Sequence, residues 1–360
     1  MPSLILGGLL FLSPLFASEV DEYWSRPLPS QGTPPSHFSP LEKSLNPEAC
    51  NFCHKTQYDQ WKTALHSKSM GPGILGQLLD MNRSRVEIDA CTTCHAPLAE
   101  QMQEFLEGSI PEFLVFPEKN GLFEKGLTCA ACHIREFVRY GPSVKGETKN
   151  EKLPHNGFVT AKWFHDSRFC KSCHQFPENG YALNGKLLEN TYNEWLESPY
   201  AKKNVTCQSC HMPDRKHLWR GIHDKEMTKN GLDINVENVE TDINEGIINA
   251  TISVKNVGVG HFFPTYITPL VVVKVYMVDN DGKILEKTLM KEEIGRHVPL
   301  SLDIEEFDTR IEPGGFFEME YEERIPEDAK NLRFEIIVYP DEFYTRFYRN
   351  ILGYPSVKKG

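Results

Sequence analysis

The sequence predicts two domains of different architecture: a mainly α-helical and irregular domain over residues 46–230, followed by an all-β antiparallel sandwich over residues 231–360. All ten cysteines lie between Cys50 and Cys210, in a region with short helical patterns and few strand patterns. Beyond this region apolar residues alternate with polar ones in several segments, which is typical of strands. A length of 360 residues also allows about two domains.

The N-terminus predicts an exported protein. Leu4 to Phe16 form an apolar run that ends at Ala17, so residues 1–17 are predicted to be a secretory signal peptide. A membrane anchor is the alternative, but the run has 13 residues and a bilayer core needs about 20. We therefore expect a periplasmic or extracellular protein with no transmembrane segment in the mature chain. Residues 18–45 hold five prolines and are predicted to be an extended, Pro-rich arm rather than a folded element.

The sandwich is predicted from six or seven short strands separated by turns. Apolar side chains alternate in residues 271–278, and the Asp-Asn-Asp-Gly sequence of residues 279–282 supplies the turn of a hairpin. In residues 317–322 apolar residues alternate with glutamate, which indicates a strand with one face in solvent. Further predicted strands are 232–236, 247–257, 286–294 and 332–339, and predicted helices of the first domain include 58–69, 98–105 and 192–201.

Charge is distributed unevenly between the two domains. The net charge is −11, which argues against nucleic acid as the main partner because phosphate binding needs clustered positive charge. Residues 231–360 carry −10 of this charge and residues 1–230 carry −1. The acidic β domain therefore predicts a partner with a basic face and a docking rate that depends on salt.

The ten cysteines form five identical Cys-x-x-Cys-His units, which we number 1 to 5 along the chain, and none is left over. Two thiols three residues apart can add to the two vinyl groups on one edge of a haem, and the adjacent histidine can supply the proximal nitrogen to the iron. Each unit therefore predicts one covalently bound c-type haem, five haem c groups in all. The predicted attachment residues are Cys50, Cys53, Cys91, Cys94, Cys129, Cys132, Cys170, Cys173, Cys207 and Cys210, and the predicted proximal ligands are His54, His95, His133, His174 and His211.

Zinc, disulfides and iron–sulfur clusters fit this cysteine pattern less well than haem does. Zinc sites pair two Cys-x-x-Cys knuckles, so five knuckles would leave one unpaired, and zinc does not require a histidine after every second cysteine. Disulfides between cysteines three residues apart would be strained and easily reduced rather than a stable framework. Iron–sulfur clusters need different cysteine spacings.

The remaining histidines decide whether the irons are open or closed. A second protein ligand occupies the distal position of the iron, which prevents other molecules from binding and suits the haem to electron transfer. Eight histidines remain for the five distal positions. His37 and His297 are predicted to be surface residues. His261 lies in a Gly- and aromatic-rich loop of the β domain, which could lock the two domains together. The six predicted distal ligands are His66, His155, His165, His217, His223 and His261.

Methionine is the other possible distal ligand. The haem domain contains Met70, Met102, Met212 and Met227. A methionine is more often a filler of the core, and Met212 directly follows a proximal histidine and cannot fold back onto the same iron. His/His ligation is the simpler assignment, and it would hold the reduction potentials lower than His/Met ligation.

The units and their surroundings resemble multihaem c-type cytochromes, in particular those related to the tetrahaem electron carriers of ammonia oxidation and to cytochromes of metal-reducing bacteria. The resemblance spans about residues 46–270. It implies an exported, largely bis-histidine electron-transfer protein with closely stacked haems, and it favours His66, His217 and His261 as distal ligands. Five units are one more than in the tetrahaem carriers, so individual iron pairings do not carry over. Besides the units, it is carried by Tyr58 to Trp61 with His66, Thr191 to Trp195, His217 with Gly221, and Asn256 to Thr265.

Three functions remain open. The first is an electron carrier between a membrane quinol-linked donor and a downstream periplasmic or extracellular acceptor. The second is a redox enzyme with one open haem that acts on nitrogen oxides or hydroxylamine. Against it, no unit has lysine in place of the motif histidine, as pentahaem nitrite reductases have. The third is a homo-oligomer or filament in which His37 of the arm ligates a haem of the next copy.

Overall fold

The computed structural model describes residues 19–80, 85–107, 121–146 and 148–353. The predicted signal peptide lies outside these residues. None of the helices in the described ranges is long and apolar enough to cross a membrane.

The first part of the chain consists of short helices and small strands joined by irregular segments. Helices occur at all three predicted positions, 58–69, 98–105 and 192–201, although two of these are divided into shorter pieces. The helices are α1 (Glu19–Tyr23), α2 (Pro40–Lys43), α3 (Pro47–Asn51), α4 (Lys55–Thr63), α5 (Pro72–Asp80), α6 (Arg85–His95), α7 (Ala99–Glu107), α8 (Cys129–His133), α9 (Arg168–Lys171), α10 (Thr191–Glu197), α11 (Pro199–Lys202), α12 (Cys207–His211) and α13 (Lys225–Gly231). The strands are β1 (Ile134–Arg135), β2 (Val138–Gly141), β3 (Val159–Thr160), β4 (Ala182–Leu183) and β5 (Lys186–Leu187).

The Pro-rich arm is folded against the haem-motif region, which differs from the extended arm that its prolines predict. It contains α1 and α2, and Tyr23 and Trp24 at the end of α1 are buried in a cluster with Ala130 and Ala131 of unit 3. The Tyr23 hydroxyl donates a hydrogen bond to the carbonyl oxygen of Cys132 at 2.9 Å. The prediction considered only the prolines of the arm. Burial of these aromatic side chains stabilises the arm against the haem-motif region.

The second part of the chain is an antiparallel β-sandwich, as predicted. One sheet has the strand order β10-β9-β8-β12 and the other β11-β7-β6. Alternate residues of both sheets, such as Val254, Val273 and Tyr321, are buried in one core, which is the arrangement that packs two sheets face to face. The strands are β6 (Leu232–Asp242), β7 (Ile247–Asn256), β8 (Leu270–Val278), β9 (Met290–His297), β10 (Phe307–Asp308), β11 (Phe316–Arg324) and β12 (Asn331–Tyr339).

Two details of the β domain differ from prediction. The predicted strand 286–294 begins only at Met290, because residues 286–288 form a helical turn in which the Thr288 hydroxyl accepts a hydrogen bond from the Met277 amide. The strand alternation also does not predict the terminal helix α14 (Glu342–Ile351), which packs back on the haem domain. A methyl group at Gly73 of α5 would lie 2.9 Å from the Tyr344 ring of α14. The β domain therefore contacts the haem domain through its last helix.

A second contact between the domains is a buried ion pair. Arg310 Nη1 lies 2.9 Å from Glu194 Oε1 of α10, and both side chains are 5% exposed. Burial raises the pKa of Glu194, and Arg310 and the hydrogen bonds to the carboxylate oppose that rise. The other oxygen of this carboxylate accepts hydrogen bonds from the Phe262 amide and the Thr265 hydroxyl, each at 3.1 Å. Glu194 therefore holds the β-domain loop that carries His261.

Candidate haem-binding sites

Each Cys-x-x-Cys-His unit lies on a helical turn, which places its two thiols on one side. Units 2, 3 and 5 lie within α6, α8 and α12. In units 1 and 4 the turn is closed by hydrogen bonds from the His54 amide to the Cys50 carbonyl at 2.8 Å, and from the His174 amide to the Cys170 carbonyl at 3.0 Å. Residues three apart on a helix share a face, so both sulfur atoms can reach the same edge of one ring.

Threonine side chains fix where two of these helices begin. The Thr128 hydroxyl accepts a hydrogen bond from the Ala131 amide, and the Thr206 hydroxyl accepts one from the Ser209 amide. A threonine in this role satisfies an amide that has no partner within the helix. In units 3 and 5 the helix therefore starts at the first cysteine.

The five units are neighbours in the fold and none of their cysteines forms a disulfide. Three pairs of thiols influence one another, and they connect unit 1 with unit 3, unit 2 with unit 4, and unit 4 with unit 5. The nearby thiol of Cys173 lowers the pKa of Cys94, and that of Cys170 lowers the pKa of Cys207. The three pairs are Cys50 with Cys129, Cys94 with Cys173, and Cys170 with Cys207.

Four of the five motif histidines face a second histidine at nearly the same distance. The ring centres lie 6.2 to 6.5 Å apart in all four pairs. A metal–imidazole bond is about 2.0–2.1 Å long and the ring centre lies roughly 1.1 Å behind the nitrogen, so two imidazoles on opposite sides of one ion are about 6.2–6.4 Å apart. The pairs are His54 with His155, His174 with His66, His133 with His217, and His211 with His261.

Backbone carbonyls orient most of these rings through Nδ1. His133 Nδ1 lies 2.8 Å from the Tyr140 carbonyl oxygen, and His95 Nδ1 lies 2.8 Å from that of Ser69. The same contact occurs at His211, and at the facing residues His155, His217 and His261. A hydrogen bond at Nδ1 fixes the ring and leaves Nε2 free to bind a metal. His66 is different, because its Nδ1 is buried without a hydrogen-bond partner.

Burial keeps the facing imidazoles neutral, which is the form that ligates a metal. It lowers the pKa of His66 to about 3, with a further contribution from His174. It likewise lowers the pKa of His133 and of His261 to about 4, although their backbone hydrogen bonds act in the opposite direction. In these three rings burial therefore favours the neutral form.

Unit 2 is the exception among the five. All 13 histidines lie within the described residues, and none forms a ring pair with His95. Near this unit, burial raises the pKa of the Tyr266 and Tyr344 hydroxyls, that of Tyr344 to about 12. The charge of Cys91 adds to both shifts.

The structure does not bring two of the six predicted distal ligands to a motif histidine. His165 is exposed at the end of a helical turn. The Nε2 atom of His223 lies 2.9 Å from Asp341 Oδ2. Of the two predicted surface residues, His37 lies beside Phe38 and Asn156, whereas His297 is only 8% exposed and lies 2.6 Å from Glu306 Oε2. The prediction for His297 is therefore wrong, because its ring is buried at the end of β9, where it stacks on Phe307 at 5.1 Å.

Two residues beside the paired imidazoles are not predicted from the sequence. Trp219 contacts the rings of both His66 and His217 edge-on, with centroids 4.6 and 5.3 Å apart. Phe164 stacks on His133 at 5.0 Å. The only sequence signal for Trp219 is that it follows His217 by two residues, since its contact with His66 joins distant parts of the chain.

The residues present fit a haem at these sites. The four imidazole pairs are one sign of this fit. A second is a group of buried donors around unit 3 that have no hydrogen-bond acceptor: Trp24 Nε1, Trp163 Nε1 and Arg135 Nη2. These donors suit the propionate groups of a haem, because a buried donor without an acceptor is costly.

Comparisons with known proteins agree with haem attachment to this chain. Residues 49–134 match the family model of cytochrome c554 and c-prime. A cytochrome c-552 of Aliarcobacter butzleri (strain RM4018) is 23% identical over 191 residues, and the match spans 49% of this chain but only 37% of that relative. The crystal structure of a penta-heme cytochrome c552 from Thermochromatium tepidum aligns with a TM-score of 0.65 and 19% identity, over 88% of this chain and 96% of that chain.

The findings support a multihaem c-type cytochrome. The family model covers units 1 to 3 of the cytochrome, whereas the structural match is too long to be confined to the haem domain and includes the β-sandwich. At this identity the structural likeness shows the fold, and with the other two matches it supports multihaem electron transfer in general.

Proposed function

We propose that the chain transfers electrons through five covalently bound c-type haems, four of which are held between two histidines. The observation that carries this proposal is the common ring spacing of 6.2–6.5 Å in the four histidine pairs. Haem irons exchange single electrons, and two fixed imidazoles suit them to rapid transfer without substrate binding. The proposed distal ligands are His155 for unit 1, His217 for unit 3, His66 for unit 4 and His261 for unit 5.

The thiol contacts support a branched order of the units. Units 1 and 3 are one neighbouring pair, and unit 4 contacts both unit 2 and unit 5. The charge state of Cys132 in unit 3 also influences Cys170 and Cys173 of unit 4. We infer that unit 4 is the branch point, with electrons reaching unit 2 and unit 5 from it.

The proposed cellular setting follows from the cofactor. Covalent haem attachment takes place outside the cytoplasm, which agrees with the predicted signal peptide. The protein would work in the periplasm or outside the cell, taking electrons from a quinol-linked membrane donor and passing them to a redox protein. A homo-oligomer or filament remains a further proposal, in which His37 would ligate the haem of another copy.

Unit 2 favours a second candidate function. Because no histidine faces His95, its iron is the candidate site for binding a small molecule. A redox enzyme for nitrogen oxides or hydroxylamine would need such an open site. The buried hydroxyls of Tyr266 and Tyr344 near this unit are candidate proton donors for that chemistry.

Haem content and carbon monoxide binding test these proposals. We expect a pyridine haemochrome assay to give five haems per chain, and carbon monoxide to bind one haem or none in the fully reduced protein. One equivalent would favour the enzyme, and none would favour the pure carrier. Binding by two or more haems would contradict the four histidine pairs, and fewer than five haems would contradict the cofactor assignment.

A further inference from the structure

One arginine of the Pro-rich arm lies between two haem-attachment units. Arg26 Nη1 is 3.0 Å from Cys94 Sγ of unit 2, and Arg26 Nη2 is 3.3 Å from Cys173 Sγ of unit 4. The two units are 79 residues apart in sequence, yet a single guanidinium group reaches both. Among the ion pairs of the described residues, none joins Arg26 to a carboxylate, so its positive charge is directed at the two sulfur atoms.

The arm is anchored on both sides of Arg26. Trp24 is 6% exposed and Leu28 is 3% exposed, and both belong to the buried cluster beside unit 3. The Tyr23 carbonyl oxygen accepts a hydrogen bond from Arg135 Nε at 3.0 Å. Buried residues two positions before and after Arg26 restrict where its backbone can lie, so the contact with Cys94 and Cys173 is built into the fold.

Thioether formation would leave this charge without a compensating anion. A thioether sulfur is neutral, so Arg26 would place a full positive charge at the attached edges of two neighbouring haems. A nearby positive charge favours the reduced iron, which carries one positive charge fewer, and net charge around a haem is one of the factors that set its potential. Two unit charges a few ångströms apart interact appreciably even near a protein surface.

We propose that Arg26 raises the reduction potentials of the haems of units 2 and 4 together, so that electrons collect on this pair. The inference rests on the proposed haem attachment. It gives the arm a function besides packing. Arg26 would set the reduction potential of the unit 4 haem relative to the haems of units 1, 3 and 5.

The test is a redox titration of the holoprotein carrying Arg26→Gln, which removes the charge and keeps a polar side chain. We expect two of the five one-electron steps to move to lower potential, while the other three stay in place. Arg26→Lys keeps the charge and should leave all five steps near their original positions. The titration is made at low ionic strength, because Arg26 is exposed and salt screens exposed charges.

The matched control is Arg215→Gln, which removes one exposed arginine of the haem domain whose guanidinium donates a hydrogen bond to the Ser143 carbonyl at 3.2 Å. It should not lower the same two steps. Arg26→Met is a second uncharged variant with the same expected result should Arg26→Gln assemble poorly. An unchanged titration, an equal shift of all five steps, or an Arg26→Lys result like that of Arg26→Gln would overturn the proposal. The haem count of each sample separates this failure from a failure of the haem assignment.

Discussion

At the scale of single residues, His261 gives the most direct link between geometry and cofactor. Its ring is parallel to that of His211 within 10°, at 6.2 Å, and its Nδ1 lies 2.9 Å from the Phe262 carbonyl oxygen. Glu194 accepts a hydrogen bond from the Phe262 amide of this loop, and Arg310 forms an ion pair with Glu194. The proposed ligand for unit 5 therefore comes from the β domain and depends on the contact between the domains.

Replacing His261 with alanine should convert one of the five haems from low spin to high spin, because that iron loses its second strong ligand. The measurement is the electron paramagnetic resonance spectrum of the oxidised protein, with the visible spectrum as a second readout. His223→Ala is the control, since His223 contacts Asp341 and no motif histidine. A low-spin count that is unchanged in His261→Ala, or lowered in His223→Ala, would reverse the assignment of these two residues.

At the scale of elements, the contact between α5 and α14 brings Tyr344 of α14 close to unit 2. A methyl group at Gly73 of α5 would lie 2.9 Å from the Tyr344 ring, and one at Gly76 would lie 2.9 Å from the Tyr348 hydroxyl. The small residues let the helix backbone approach the aromatic rings closely. The last helix of the β domain therefore covers the helix that precedes unit 2.

Gly73→Ala should lower the free energy of unfolding by about 1–2 kcal/mol, because overpacking against Tyr344 costs about 1–3 kcal/mol and alanine recovers up to about 1 kcal/mol of helix propensity. The measurement is the urea unfolding midpoint of the holoprotein. Gly221→Ala is the control, since a methyl group there meets no atom within 4 Å. Equal stability of the Gly73→Ala variant and the unaltered protein would mean that α14 does not pack tightly on α5.

The sequence predicts some of these elements well and others poorly, for physical reasons. The alternation in β8 and β11 directly records which side chains face the sandwich core, so the predicted bounds of these strands agree with the structure to within one or two residues. Ring pairs such as His66 with His174 join distant segments, so the sequence predicts His66 as a distal ligand but not its partner. His165 and His223 are predicted as ligands because they lie near the units in sequence, and this does not determine which way a side chain points.

At the scale of the whole molecule, the negative charge lies on the domain that has no haem attachment unit. Glu318, Glu320 and Glu322 of β11 are exposed on one face, and Glu237 and Glu240 of β6 are exposed in the same sheet. This concentration of negative charge produces an electrostatic field that would speed the association of a basic partner.

Electron transfer to a small basic c-type cytochrome should therefore slow as the salt concentration rises. The double variant Glu318→Gln/Glu322→Gln should weaken that salt dependence, because it removes two charges from the acidic sheet. Glu178→Gln/Glu197→Gln makes the same change of charge at exposed positions of the haem domain and should have a smaller effect. Stopped-flow rates over a series of salt concentrations measure this, and equal slopes for the two double variants would place the docking surface elsewhere.

The four histidine pairs also have a consequence for refolding. Their members are between 50 and 108 residues apart in sequence, whereas thioether bonds would keep each haem on its own short unit when the chain unfolds. In the denatured protein each of the four paired irons would be released from its distant partner and would meet whichever imidazole is nearest. His165 lies five residues before unit 4 and His223 lies twelve residues after unit 5, so both are well placed to bind the wrong iron. Recovery of the native spectrum should then be limited by ligand exchange, and it should be faster at a pH low enough to protonate misplaced imidazoles.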